Sequence, residues 1–367
     1  MDSSRRDFLR GALTAAAAGA FCPRALAVRD APPHEAEFYD KLGRNMVRCR
    51  LCPWQCVVSP GNRGNCRVRE NRDGTYYSLV YGRPVAMHND PIEKKPFFHV
   101  YPGTQSFSIA TVGCNIECKF CQNWDISQSA PEDVSVPFRT PADIAALALA
   151  HKSRTVAYTY SEPTVAFEYM CDCARAARDA GLGNVVVSNG FIEAEPLKKL
   201  ASLMTAMKVD LKAFEEGFYR DYCSGRLQPV LDTLKRLSAS GLWFEIVVLL
   251  IPTLNDNMDD VKRMAAWVMK ELGPDVPLFF SRYHPAYKIR NIPPTPARTI
   301  AAAGAAARGE GLHFVYTGNM PGMEGEATHC PRCNTEVVKR YGFTVLFNKL
   351  KEGKCPHCGA AVPGVWS

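Results

Sequence analysis

The sequence predicts an α/β fold: a partial (βα) barrel with an N-terminal cysteine-rich cap and a small C-terminal ribbon-like domain held by cysteines. Three observations lead there. Seven short apolar runs alternate with amphipathic stretches across the middle of the chain, the pattern of βαβ units and a parallel sheet. Fifteen cysteines are present, and eleven of them fall in three tight groups. With 47% hydrophobic and 22% charged residues, the 367-residue chain can bury one large core and carry small appendages.

Taken in order, residues 1–27 read as a targeting segment. Arg5-Arg6-Asp7-Phe8-Leu9 fits a twin-arginine pattern, an alanine-rich apolar stretch follows, and Ala25-Leu26-Ala27 offers a cleavage site. The apolar stretch is too short for an ordinary membrane span, and no transmembrane helix is expected beyond it. Such a signal points to export in the folded state. Residues 28–105 are rich in Cys, Gly, Pro and Arg and read as a metal-pinned cap. The barrel is expected over 106–322, with strands at 107–112, 155–160, 184–188, 207–211, 243–251, 278–283 and 313–317. Helices are expected at 142–152, 165–180, 196–204, 230–240, 258–272 and 296–308. Residues 323–367 form the last unit. The net charge of +7 is spread along the chain with no dense basic block, which argues against a nucleic-acid partner.

In such barrels, chemistry gathers at the C-terminal ends of strands. Cys114, Glu162, Asn189, Asp210, Lys212 and His284 all fall there. Cys114, Cys118 and Cys121 place three thiolates in an eight-residue loop after Gly113. Iron-sulfur clusters ordinarily take four cysteines, so three leave one iron of a [4Fe-4S] cluster open to a ligand. A zinc knuckle is the alternative, and the strand before the loop and the barrel pattern after it argue against one. Cys330, Cys333, Cys355 and Cys358 form two CxxC knuckles separated by a strand-prone stretch at 336–347, suited to structural zinc. Rubredoxin-type iron or, outside the cytoplasm, two disulfides are the alternatives. Cys49, Cys52, Cys56 and Cys66 also total four ligands, and their spacing leaves zinc and an auxiliary cluster both open. Cys22, Cys171, Cys173 and Cys223 read as small buried hydrophobes.

The CxxxCxxC spacing with Phe120 before the last cysteine resembles the signature of the radical S-adenosylmethionine superfamily. Within it, Cys49-Arg50-Leu51-Cys52-Pro53, Pro91-Ile92-Glu93-Lys94-Lys95-Pro96 and Cys121-Gln122-Asn123-Trp124 resemble the radical enzyme of the AmmeMemoRadiSam system, near the pyruvate formate-lyase activating enzymes. The resemblance implies a [4Fe-4S] cluster, S-adenosylmethionine as cosubstrate and a low-potential electron donor. It also implies Memo-like and AMMECR-type companion proteins. It assigns Glu162 to the methionine amino group, Ser188 and Asn189 to the same pocket, Asp210 and Lys212 to an Asp-x-Lys motif whose lysine partners the carboxylate, and His284 to the nucleoside. Tyr160 and Ser161 stand where that branch has two glycines, and Val187 replaces an acidic residue. The implied activity is hydrogen abstraction from an unidentified substrate, a protein being one option. Activation of a glycyl radical enzyme is one alternative, and a non-catalytic iron-sulfur or metal-binding protein is another. Export conflicts with the cytoplasmic supply of cosubstrate and electrons, so location stays open.

Overall fold

A computed structural model describes residues 33–367. The expected signal segment, 1–27, lies outside them. Six short strands come first: β1 (His34–Glu35), β2 (Tyr39–Lys41), β3 (Val47–Cys49), β4 (Val57–Val58), β5 (Arg69–Arg72) and β6 (Thr75–Ser78). They pair antiparallel into two small sheets, β1-β6-β5 and β2-β3-β4. The cap is therefore built on short antiparallel strands.

The main sheet has eight strands: β7 (Ala86–Pro91), β8 (Gln105–Ala110), β9 (Thr155–Tyr158), β10 (Gly183–Ser188), β11 (Ala206–Asp210), β12 (Trp243–Leu250), β13 (Leu278–Arg282) and β14 (Val315–Gly318). Their spatial order is sequential, and β8 to β14 are parallel. Each of the seven apolar runs became one of these strands. Strand β7 pairs antiparallel with β8, so the sheet begins inside the stretch read as cap. The hydrogen-bonded ladder is open, with β7 and β14 at its edges.

The connections carry α1 (Trp124–Ser127), α2 (Pro141–Ala150), α3 (Phe167–Asp179), α4 (Ala194–Ala201), α5 (Glu216–Cys223), α6 (Leu227–Ser240), α7 (Met258–Glu271) and α8 (Ala297–Gly309). Their ends follow local chemistry. Thr140 caps α2 by accepting from the Asp143 N–H at 3.1 Å while Asp143 returns a bond to the Thr140 N–H at 2.8 Å, with Pro141 in the first turn. At the other end of α6, Gly241 takes φ 74° and stops the helix.

Sheet burial is nearly continuous, as in strands covered on both faces. Helices cover one face. The other is filled by segment 92–101, with Ile92, Phe97 and Val100 against Ala157, Val185 and Ala206, and by the C-terminal unit. That unit is an antiparallel sheet of β15 (Thr328–His329), β16 (Glu336–Tyr341) and β17 (Thr344–Asn348). Arg340, 4% exposed, docks it by donating to the Phe98 carbonyl at 2.6 Å, while a 2.9 Å bond to the Thr328 hydroxyl holds the guanidinium within the unit. Among the described residues, no helix is long and apolar enough to cross a membrane.

Candidate active site

Cys114, Cys118 and Cys121 sit in the turn that follows β8, and hydrogen bonds fix this loop on several sides. Asn115 donates to the Phe191 carbonyl at 2.7 Å and accepts from Asn189 at 2.8 Å. The Glu117 and Lys119 N–H groups each donate at 2.8 Å to the carbonyls of Cys223 and Tyr222 in α5. Asn123 donates to the Tyr160 carbonyl at 3.0 Å. A loop so held presents its three sulfurs at fixed points.

They open onto a cavity of about 340 Å³, a size usual for small-molecule sites. Its wall takes residues from the C-terminal ends of β8 to β14, among them Glu162, Ser188, Asn189, Asp210 and Lys212. Phe120 lines it too, 3% exposed. The structure thus brings together every candidate of the central site except His284, which is exposed and stands outside the lining.

Glu162, 3% exposed, caps the turn after β9. Its Oε1 accepts from the Thr164 N–H at 3.0 Å and the Ser188 hydroxyl at 2.8 Å, and its Oε2 accepts from the Asn189 N–H at 2.8 Å. Two lone pairs per oxygen leave one acceptor position on Oε2. Burial pushes the carboxyl up, and these donors work the other way. Burial alone would lower Lys212, but Asp210, 2.6 Å from its ammonium, holds it above the ordinary lysine range. It is a fixed cation.

Burial pushes the Cys114 and Cys121 thiols up, and for Cys118 the contact with Cys223 adds most to the rise. A bound metal's charge is what would turn them into thiolates. Together they stand wider than a single ion would draw them. A single tetrahedral ion with sulfurs at about 2.3 Å draws them to about 3.8 Å apart, whereas these three do not all fall within 4.8 Å of one another. Ser127 Oγ lies 3.3 Å from Cys121 Sγ, and the Asn189 amide lies 3.7 Å from Cys114 Sγ. Cys223 is fully buried and absent from the cavity wall, so Cys118 has a thiol neighbour that does not face the site.

The C-terminal four differ. Cys330, Cys333, Cys355 and Cys358 lie within 4.8 Å of one another, with sulfur pairs at 3.6 and 3.7 Å, the spacing of one tetrahedral ion. Thr335 beside Cys333 draws that thiol down to about 6.

Sequence reasoning gave no role to two further features. Asp90, Lys95 and Tyr160 form a closed triangle, of which Lys95 and Tyr160 line the cavity, with Lys95 Nζ 2.6 Å from Asp90 and 2.8 Å from the Tyr160 hydroxyl, which donates to Asp90 at 2.7 Å. The quoted 91–96 motif holds this lysine but gives no hint of its partners. Asn319, Met320, Gly342 and Phe343 also line the cavity, so the C-terminal third of the chain contributes to its mouth. No spacing signal marks them.

The profile described as Radical SAM superfamily matches residues 108–268. The chain is 44% identical over 330 residues to uncharacterized protein MJ0808 of Methanocaldococcus jannaschii, an alignment spanning 89% of this chain and 98% of that one. It is 24% identical over 275 residues to uncharacterized protein MJ0674 of the same organism, spanning 71% and 73%. Among solved structures, a domain of the pyruvate-formate lyase-activating enzyme from Bacteroides vulgatus aligns with a TM-score of 0.40 at 16% identity, covering 45% of this chain and 99% of that one. A radical SAM methyltransferase from Sphaerobacter thermophilus aligns with a TM-score of 0.45 at 15% identity, covering 60% and 68%.

Proposed function

Since this chain belongs to the radical SAM superfamily, we propose that it is an enzyme that cleaves S-adenosylmethionine reductively and abstracts a hydrogen atom from a substrate, with the open sheet acting as a partial (βα) barrel. The observation that carries the proposal is the three-thiol loop, with sulfurs spread too widely for one ion, at the floor of a cavity lined by Glu162 and Lys212. A [4Fe-4S] cluster on Cys114, Cys118 and Cys121 would supply the electron that splits the cosubstrate into methionine and a 5′-deoxyadenosyl radical.

The chain's own residues account for binding. The free acceptor position on Glu162 Oε2 suits the methionine ammonium, and the Lys212 ammonium suits its carboxylate. Ser188 and Asn189 hold Glu162 in place. Phe120 keeps the loop's cavity side apolar, and the fixed anchors of the loop keep its sulfurs from rearranging. The resemblance assigns His284 to the nucleoside, and it stands outside the lining of the cavity. The finer AmmeMemoRadiSam assignment, with Memo-like and AMMECR-type companions and a low-potential electron donor, is supported by the quoted motifs. Structural zinc at the C-terminal cysteines, as in a zinc ribbon, is supported by their spacing.

Reconstituted anaerobically with iron and sulfide and then reduced, the chain is expected to turn S-adenosylmethionine into 5′-deoxyadenosine and methionine. Cys118→Ala should make neither, and Cys223→Ala should still make both. No product from fully loaded wild type would overturn the proposal in favour of electron transfer or metal binding. A protein-based radical on an added partner would instead mark the glycyl-radical branch.

A further inference from the structure

We infer that Cys49, Cys52, Cys56 and Cys66 hold a second four-iron cluster rather than a zinc ion. Cys49 ends β3, Cys52 and Cys56 flank the turn to β4, and Cys66 precedes β5, so two small sheets bring the four together. All four line one small cavity, in company with Arg69, Tyr76 and Thr164.

The sulfur spacing decides between metals. A single tetrahedral ion gathers its thiolates to about 3.8 Å, as the C-terminal four are gathered. In a cubane each thiolate stands on its own iron, so the cysteine sulfurs are held farther apart than around one ion. Among the described residues the C-terminal group alone brings three or more ligand atoms within 4.8 Å of one another, so no three of the N-terminal sulfurs do. They share a cavity, but stand wider than a single ion would hold them.

The polar lining points the same way. Arg69 Nε, the Tyr76 hydroxyl and the Thr164 hydroxyl are buried without a hydrogen-bond partner, and their side chains belong to residues 1% exposed or less. Three orphaned donors around one cavity are costly unless something there accepts from them. The inorganic sulfides and thiolates of a cluster are such acceptors. The Asn65 N–H already points at Cys56 Sγ, 3.5 Å away.

The site adjoins the Cys114 loop. Trp54, between Cys52 and Cys56, donates to the Asn115 carbonyl at 2.6 Å, and a Cβ on Gly113 would stand 3.1 Å from the Cys66 carbonyl oxygen. This suits one-electron exchange. The N-terminal cluster would lose one electron, the central site would gain it, and a low-potential one-electron donor would restore it. That exchange rests on the function proposed above, whereas the cluster itself does not.

The test uses the full chain with Cys114, Cys118 and Cys121 all changed to Ala, which removes the central cluster and with it the proposed activity. After anaerobic reconstitution we expect about four irons and about four acid-labile sulfides per chain to remain. Adding Cys49→Ser and Cys52→Ser should abolish both. Wild type should carry about eight sulfides, a count that does not depend on the variants folding. About four sulfides in wild type with none in the triple variant would overturn the inference, whereas about four in both would uphold it and count against the central cluster instead. Mononuclear iron at the C-terminal cysteines brings no sulfide and does not disturb the count.

Discussion

Tyr160 holds φ at 69° just beyond β9, in the left-handed region where a Cβ costs about 1–2 kcal/mol. A glycine would sit there without strain, and the tyrosine is kept in place by what its side chain reaches. Its hydroxyl bridges Lys95 and Asp90, and its ring lies 4.3 Å from the Lys95 ammonium. Burial would raise the Asp90 carboxyl, but bonds from Lys95, Tyr160 and Lys94 hold it well below the usual carboxylate range. In Tyr160→Phe the lysine keeps Asp90 but loses one partner in a site where it is 2% exposed. Urea unfolding should register a loss of about 1–2 kcal/mol. Cys114, Cys118 and Cys121 were legible in the sequence because their spacing is itself the chemistry. The Asp90–Lys95–Tyr160 triangle was not, because its members are 65 or more residues apart except for the adjoining pair.

The turn after β8 depends on a residue without a side chain. Gly113 has φ 100°, and a Cβ there would lie 2.6 Å from Val68 Cγ1 and 3.1 Å from the Cys66 carbonyl. Gly113→Ala therefore combines backbone strain with a clash on the buried Val68 side chain and should cost more than about 2 kcal/mol. The thermal midpoint should drop, and iron bound per chain after reconstitution should fall with it. Helix α3 holds the cap by a different device. Glu168 and Arg69, each side chain 1% exposed, pair at 2.9 Å, and Glu168 also accepts from the Glu37 N–H at 2.7 Å. Glu168→Ala strands a buried guanidinium and should lower stability by about 3–5 kcal/mol in urea titration. Elements of this kind were only partly visible beforehand. The seven parallel strands and six of the helices follow from periodicity, since a run of apolar residues must be buried somewhere. Strand β7 and the cap strands were not foreseen, because short polar strands get their order from partners distant in sequence. Helix α5 was missed as well, although its last turn supplies the carbonyls that hold the cysteine loop.

Over the whole molecule, the C-terminal unit closes the face of the sheet that the helices leave bare. His99 is at that junction, fully buried, with Nδ1 2.6 Å from the Pro363 carbonyl and Nε2 2.6 Å from the Tyr316 hydroxyl. A carbonyl can only accept, so Nδ1 carries the proton and Nε2 accepts from Tyr316. Burial pushes the ring down to about 4 from 6.5. Below about pH 6.5 the unfolded chain takes up a proton that the native state refuses, so stability should fall as pH drops through 6.5 towards 4. The loss amounts to roughly 3 kcal/mol when that window has been crossed. Urea midpoints measured between pH 7 and 4.5 should show the slope, and His99→Gln should flatten it. By itself the sequence determined the alternating strands and helices, the three cysteine groups and the acidic and basic residues at strand ends, because periodicity and ligand spacing are local properties of the chain. Tertiary structure alone decided three other matters: which sulfurs stand at single-ion distance and which stand wider, that His284 lies off the cavity wall, and that Phe343 and Met320 reach it. The reason is physical: distances between sulfurs and the enclosure of a cavity are set by how separate sheets pack, and no short stretch of residues carries that information.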